Sequence, residues 1–186
     1  MTKYILHGGS SNVANPDTDS FFREMTQETV GQTRVLLNYF SRPDDKIAEC
    51  AEQDKKRFLE HSENKDLIFE IAKPESLAEQ LKRADVMYMR GGTTKKLVDA
   101  MSLTPNLEAL FEDKIIAGSS AGVYVLAKYY WENDTDELGE GLGIFNVKAF
   151  CHYTNENKAK VEKLLGHGEN LPLLTIPDYK WLVFFK

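Results

Sequence analysis

Short apolar runs alternate with longer amphipathic segments over the first two thirds of the chain. The runs, which predict buried strands, cover residues 3–6, 35–40, 67–71, 85–89 and 114–117. Between them, apolar positions recur at helical spacing among charged residues, as in the segment that carries Ile47, Ala51 and Phe58. Strands separated by helices pair in parallel through right-handed crossovers. The pattern therefore predicts an α/β fold, a three-layer sandwich around a mostly parallel sheet.

The alternation loosens after Val125. Strands are predicted at residues 129–131, 143–149, 173–176 and 181–185, a surface loop at 132–143 and a helix at 155–165. No repeat, low-complexity tract or long linker interrupts the 186 residues, so residues 1–186 are predicted to form a single domain. The last predicted strand is apolar throughout, and an exposed apolar edge strand invites association. The predicted strand at residues 181–185 therefore favours a homodimer, in which a second copy would cover its edge.

Composition and charge exclude several classes of protein. Hydrophobic residues make up 42% and charged residues 28% of the chain, which is ordinary for a soluble globular protein. No apolar run approaches the roughly 18 residues that a membrane span needs. A formal net charge of −6 offers no basic field to nucleic acid or anionic lipid, and Cys50 and Cys151 match no disulfide-dense scaffold. We expect a cytoplasmic protein with neither nucleic acid nor a membrane as its partner.

Three glycine-containing loops each follow a predicted strand, at residues 7–9, 90–94 and 118–122. In a parallel α/β sheet, such loops lie at the carboxyl edge of the strands, where ligands bind. Glycine in any one of them could serve only a tight turn, but three together favour one shared site.

The third loop, Gly118-Ser119-Ser120-Ala121-Gly122, fits the pattern G-x-S-x-G between a predicted strand and a predicted helix. This is the context of a nucleophile elbow, in which small neighbours allow a strained turn to present a serine to the cleft. Ser120 is therefore the predicted nucleophile. The N–H of Ala121, at the start of the helix, is expected to face the oxyanion that forms when Ser120 attacks a carbonyl.

A serine needs a base to become a nucleophile, and the chain has four histidines. His61 and His167 lie in polar surroundings and are interpreted as solvated, whereas His7 could either reach the cleft or pack in the core. His152 follows a predicted strand and precedes a helix, which makes it the preferred base.

The carboxylate that would orient the imidazole is sought between the serine and the histidine, in the order found in many hydrolases. Asp134, Asp136 and Glu137 lie there in an acidic segment, and Asp134 is the preferred candidate of the three.

Taken together, these motifs resemble those of peptidase E, the α-aspartyl dipeptidase family of serine peptidases, which has a class I glutamine-amidotransferase-like (flavodoxin-like) fold. The resemblance covers nearly the whole chain and rests on His7-Gly8-Gly9, Gly91-Gly92-Thr93-Thr94, the Ser120 elbow, Gly141-Leu142-Gly143 and His152-Tyr153-Thr154. It implies Ser120 as nucleophile, His152 as base, Asp134 as third member, and the N–H groups of Gly92 and Ala121 as the oxyanion hole. Gly9, Thr93 and Lys158 are the expected substrate-binding residues.

The chain departs from the family pattern after His152. Aspartyl dipeptidases carry there an arginine that holds the aspartate of the substrate, but residues 155–160 read Asn-Glu-Asn-Lys-Ala-Lys. A lysine lacks the bidentate fork that suits a carboxylate. We therefore expect no strong preference for aspartate unless Lys158 supplies it.

The expected activity is hydrolysis of short peptides by a dipeptidase-like serine peptidase that forms an acyl-enzyme. No HExxH or paired CxxC motif is present, and the glycine loops match neither GxGxxG nor GK[ST], so neither a metal nor a cofactor is expected. Two alternatives are an esterase with the same elbow and a non-catalytic module that holds a small anion on backbone N–H groups.

Overall fold

Ten strands and seven α-helices make up the computed structural model, which describes all 186 residues. The strands are β1 (Lys3–His7), β2 (Thr33–Asn38), β3 (Leu67–Ile71), β4 (Val86–Met89), β5 (Ile115–Ser119), β6 (Ala127–Glu132), β7 (Glu137–Glu140), β8 (Phe145–Cys151), β9 (Leu173–Ile176) and β10 (Trp181–Phe185). The helices are α1 (Pro16–Glu24), α2 (Asp44–His61), α3 (Leu77–Arg83), α4 (Thr94–Ser102), α5 (Leu107–Leu110), α6 (Ala121–Tyr124) and α7 (Lys158–Leu165). None of the helices is both long and apolar enough to cross a membrane.

The larger of two sheets has six strands in the order β10-β1-β5-β4-β2-β3. The five strands from β1 to β3 in this order are parallel, as the βα alternation predicts, and β10 joins antiparallel to β1 at one edge. The carboxyl ends of β1, β5 and β4 are therefore neighbours. This places the three glycine-containing loops side by side.

Helices cover both faces of this sheet because its strands are apolar on both sides. Ile5, Val35 and Ala117 face a core formed with α1 and α2. Leu36 and Ile116 face the opposite core, which α3, α4, α5 and α6 complete. Alternate side chains of one strand point to opposite faces, so one sheet supplies both cores and the molecule has three layers.

Strands β6 to β9 form a second sheet instead of extending the first, and only β10 returns to the main sheet. The second sheet has four strands in the order β7-β6-β8-β9, with β6, β8 and β9 parallel and β7 antiparallel to β6. A parallel crossover needs a dozen or more residues, and α6 has only four before the chain enters β6. The segment 132–143, predicted as a surface loop, contains β7, which pairs with β6 to form a hairpin.

Candidate active site

A polar cavity of about 270 Å³ lies where the glycine-containing loops meet. Twelve residues line it, and none of them is hydrophobic: Ser10, Ser11, Asn12, Arg42, Gly91, Gly92, Ser119, Ser120, Glu132, Asn133, Asp134 and His152. They come from the carboxyl ends of the main sheet and from β6 and β8 of the second sheet. These residues meet at the edge of the sheet where the three glycine-containing loops were expected to form one shared site.

Ser120 occupies a strained turn between β5 and α6. Its φ of 51° and ψ of −104° lie outside the regions that most residues adopt, which costs on the order of 1–3 kcal/mol. The turn is held by the Ser120 N–H, which donates to the carbonyl of His7 at 2.9 Å. A Cβ on Gly122 would lie 2.5 Å from the carbonyl oxygen of Met89, so only glycine allows the helix to start so close to β4. These features are those of the predicted elbow.

The hydroxyl of Ser120 lies 2.8 Å from Nε2 of His152. His152 directly follows β8 and is fixed by its N–H, which donates to the carbonyl of Gly8 at 2.9 Å. A Cβ on Gly9, whose φ is +134°, would lie 2.0 Å from the imidazole Cε1. The loop after β1 therefore supports the histidine through backbone contact that only glycine permits.

Asp178 is the carboxylate that binds the imidazole. Its Oδ1 lies 2.7 Å from Nδ1 of His152 and also accepts a hydrogen bond from Oγ of Ser10 at 3.0 Å. Asp178 lies in the turn after β9, and β9 pairs in parallel with β8 so that Ile176 is opposite Cys151. The residues that follow the two strands therefore meet at one edge of the second sheet.

This geometry corrects the expectation for the acidic residue. Asp134 makes no hydrogen bond to His152; it is exposed in the turn between β6 and β7 and lines the cavity instead. Asp136 pairs with Lys160 at 2.5 Å, and the exposed Glu137 begins β7. None of the three contacts Nδ1, and the carboxylate that does contact it follows the histidine in the chain instead of preceding it.

Two backbone N–H groups at or next to the cavity have no acceptor in the protein: Gly92 lines the cavity, and Ala121 directly follows Ser120. Ala121 is the first residue of α6, so its N–H has no partner within the helix. Gly92 follows β4 and donates no backbone hydrogen bond, while its neighbour Thr93 donates to the carbonyl of Ser41 at 2.9 Å. Gly92 and Ala121 thus keep free the donors that an oxyanion would need.

The structure separates the three residues that were expected to bind substrate. Gly9 contacts the ring of His152, as described above. Thr93 is exposed and lines an adjoining cavity of about 530 Å³, which shares Glu132 and Asp134 with the first. Lys158 is exposed at the start of α7 and lines neither cavity. The structure therefore does not bring Lys158 into the site.

Other groups near the site do not supply reactive side chains. Cys151 is fully buried beside His152, and burial raises the pKa of its thiol far above the usual value, so the thiol stays protonated. No three His, Cys, Asp or Glu side chains are grouped so that they could hold a metal ion.

A larger cavity of about 820 Å³ lies elsewhere and is lined by Tyr4, Leu107 and Lys186 among others. It shares no residue with the cavity that contains Ser120 and His152.

His7 is completely buried behind the loop it precedes. Its Nδ1 accepts a hydrogen bond from the N–H of Gly9 at 3.2 Å and lies 3.1 Å from Oγ of Ser119. Burial disfavours the charged imidazolium and lowers the pKa of His7 to about 4. His7 therefore remains neutral and holds the glycine loop against the elbow.

The buried His7 makes folding stability depend on pH. The unfolded chain takes up a proton at His7 below about pH 6.5, whereas the folded chain does so only near pH 4. Stability is therefore lost as the pH falls through this range, by roughly 2–3 kcal/mol between pH 7 and 4.5. His7→Asn, whose amide oxygen can replace Nδ1 as acceptor, should reduce this loss by that amount in urea unfolding. An unchanged loss in the variant would contradict the assignment.

Two residues of the site lie outside every sequence motif discussed above. Asp178 follows a strand that the sequence predicts, and the Pro177-Asp178 turn after this strand is its only local signal. Arg42 follows β2 and lines the cavity with Ser120 and His152. Its only local signal is its place between a predicted strand and Pro43.

Comparison with known proteins identifies the family. The model of peptidase family S51 matches residues 5–185. No curated protein matches the chain. A crystal structure of a peptidase from an acI-B1 Actinobacterium has a TM-score of 0.74 and 20% identity, and the match covers 99% of this chain and 83% of that one. A putative peptidase E protein from Listeria monocytogenes EGD-e has a TM-score of 0.71 and 16% identity, with 99% and 94% covered.

These matches agree with the fold described above. The structural likeness confirms the predicted α/β fold of the class I glutamine amidotransferase-like type. The family match extends over nearly the whole chain, including the elbow, the histidine and the turn after β9. The chain therefore belongs to peptidase family S51, the peptidase E family, and is a serine-type peptidase.

Proposed function

We propose that this peptidase hydrolyses short peptides through an acyl-enzyme on Ser120, with His152 as base and Asp178 as the orienting carboxylate. The observation that carries the proposal is the continuous chain of hydrogen bonds from Oγ of Ser120 to Nε2 of His152 and from Nδ1 to Asp178. A carboxylate can only accept, so Nδ1 carries the hydrogen and Nε2 is left to accept the proton of the serine.

The reaction then has two halves. Ser120 Oγ attacks the peptide carbonyl while its proton passes to Nε2 of His152, and the N–H groups of Gly92 and Ala121 stabilise the oxyanion. The C–N bond breaks, His152 returns the proton to the leaving amine, and an ester to Ser120 remains. Water, deprotonated by His152, hydrolyses this ester and releases the carboxylic acid.

The cavity supports a small substrate. Drug-sized ligands occupy pockets of about 300–1,000 Å³, and this cavity of about 270 Å³ lies just below that range. Asn133 lines it and is held in place, because its Nδ2 donates to the carbonyl of Cys151 at 2.9 Å and to the hydroxyl of Tyr124 at 3.1 Å. A dipeptide suits this space better than an extended chain of a folded protein.

A fluorophosphonate probe tests the proposal directly. We expect one equivalent to label Ser120, because the probe reacts with serines that an adjacent base activates. The matched control is the neighbouring Ser119, which is buried and lies beside His7 instead of His152. Labelling should persist in Ser119→Ala and disappear in Ser120→Ala, as read by mass spectrometry of the intact protein. Absence of labelling in the wild-type protein would contradict an activated Ser120.

A further inference from the structure

Arg90 begins the loop that carries one of the two proposed oxyanion donors, yet its side chain contacts α2 and does not line the catalytic cavity. It directly precedes Gly91-Gly92 and is buried. Its Nη1 donates to the carbonyl of Cys50 at 3.1 Å and to Oδ1 of Asp54 at 3.0 Å, and its Nη2 donates to Oε1 of Gln53 at 2.8 Å. All three acceptors belong to α2, so the guanidinium ties the start of the loop to one turn of that helix.

Asp54 completes a buried ion pair with Arg90. Its Oδ1 binds the guanidinium, and its Oδ2 accepts a hydrogen bond from the hydroxyl of Tyr39 at 3.0 Å. The carboxylate and the guanidinium are 1% and 5% exposed, so both charges have left water. Removing one member of such a pair is strongly destabilising, whereas replacing both members by uncharged side chains often is not. Stability alone therefore gives no reason for an ion pair at this position.

Ser41 fixes the same loop from its other side. Its Oγ donates to the carbonyl of Arg90 at 2.7 Å, and its own carbonyl accepts the N–H of Thr93 at 2.9 Å. Gly92 lies so close to Ser41 that a Cβ on Gly92 would be 2.5 Å from the carbonyl oxygen of Ser41. The residues on both sides of Gly92 are therefore held, and these contacts set the direction of its free N–H.

We propose that the buried pair of Arg90 and Asp54 positions the oxyanion hole, by fixing the loop so that the N–H of Gly92 points to the place where the oxyanion forms. This inference rests on the proposed function and adds two positioning residues to it. Neither residue lines the cavity, so both act through Gly92. Preorganised donors stabilise the transition state more than the bound substrate, and a displacement of about 1 Å can cost roughly 100-fold in rate. Loss of the pair should therefore lower kcat and change KM little.

The double variant Arg90→Met with Asp54→Asn tests this role. It removes both charges together, so no buried charge is left unpaired, and the amide oxygen of the new side chain can still accept from Tyr39. The variant should fold with nearly the wild-type melting temperature. We expect kcat to fall roughly 10- to 100-fold while KM changes little, measured on the dipeptide that the wild-type enzyme cleaves fastest in a panel.

An aldehyde analogue of the first residue of that dipeptide gives a second readout. Oγ of Ser120 adds to the aldehyde carbon, and the hemiacetal oxygen of the adduct would occupy the oxyanion site. The Ki of the aldehyde should rise in the double variant by the factor by which kcat/KM falls. An enzyme that was only less stable would lose active molecules, but the Ki of those that remained would not change.

A matched control removes a buried ion pair at the opposite end of the main sheet. Lys3 is the first residue of β1, and its buried Nζ lies 2.7 Å from a carboxylate oxygen of Glu24. Lys3→Met with Glu24→Gln should therefore leave kcat and the Ki of the aldehyde unchanged. Arg90→Lys keeps the charge but not the planar fork that reaches three acceptors, so its loss in kcat should be smaller than that of the double variant.

A wild-type kcat and Ki in the folded double variant would overturn the inference, and so would a raised KM with unchanged kcat. If the double variant does not fold, Arg90→Lys decides, because a wild-type kcat and Ki in that variant would overturn the inference and a reduced kcat with a raised Ki would support it. Failure of the proposed function gives a different result. In that case the wild-type enzyme would cleave no dipeptide of the panel, and the fluorophosphonate would leave Ser120 unlabelled.

Discussion

Ser120→Ala is expected to lower kcat by roughly 10⁴- to 10⁶-fold, because the acyl-enzyme cannot form without the hydroxyl and only binding and the oxyanion donors remain. The protein should still fold, since Nε2 of His152, which loses its partner at 2.8 Å, faces a cavity that water can enter. Circular dichroism and the melting temperature check the fold, and steady-state hydrolysis of a dipeptide measures the loss.

Ser102→Ala is a suitable control for this loss. Ser102 is an exposed hydroxyl at the end of α4, where its Oγ donates to the carbonyl of Asp99 at 2.8 Å, so its removal should not change the rate. If purified Ser120→Ala hydrolysed peptides at the wild-type rate, then Ser120 would not be the nucleophile and the proposed mechanism would be wrong.

Asp178→Asn is expected to lower kcat by about 10⁴-fold, by changing the tautomer of His152. An amide NH₂ placed against Nδ1 donates where the carboxylate accepted, and this moves the hydrogen of the imidazole to Nε2. The ring then points a donor at Ser120 and cannot take its proton. The side chain keeps its size and its contact with Ser10, so the melting temperature should change little.

Asp134→Asn is the matched comparison. It makes the same chemical change in the carboxylate that the sequence predicted as the orienting acid, because Asp134 lies between Ser120 and His152 in the chain. Asp134 lines the cavity but does not touch His152, so its loss should be far smaller than that of Asp178→Asn. A large loss in Asp134→Asn together with a near wild-type rate in Asp178→Asn would show that the hydrogen bond between Asp178 and His152 is not used in catalysis.

Local sequence determined most of the fold. All nine strands that the apolar runs predict are present within two residues of their predicted bounds, because each packs apolar side chains against the interior and is therefore visible as an apolar run. The exception is β7, whose Glu137-Leu138-Gly139-Glu140 is mostly polar and exposed. This strand forms because the hairpin pairs it with β6, a contact that no local pattern reveals.

Within the site, the sequence by itself predicted Ser120 as nucleophile and Ala121 as an oxyanion donor, because the elbow is a local structure of five residues between one strand and one helix. It also indicated His152, which ends a strand. Only the tertiary structure brought Asp178 to His152 and Arg42 to the cavity. Asp178 reaches His152 because β9 pairs with β8, and Arg42 reaches the cavity because β2 lies beside β4. The order of strands in a sheet depends on how the whole chain packs. Contacts between residues that follow neighbouring strands therefore cannot be predicted from the spacing of residues along the sequence.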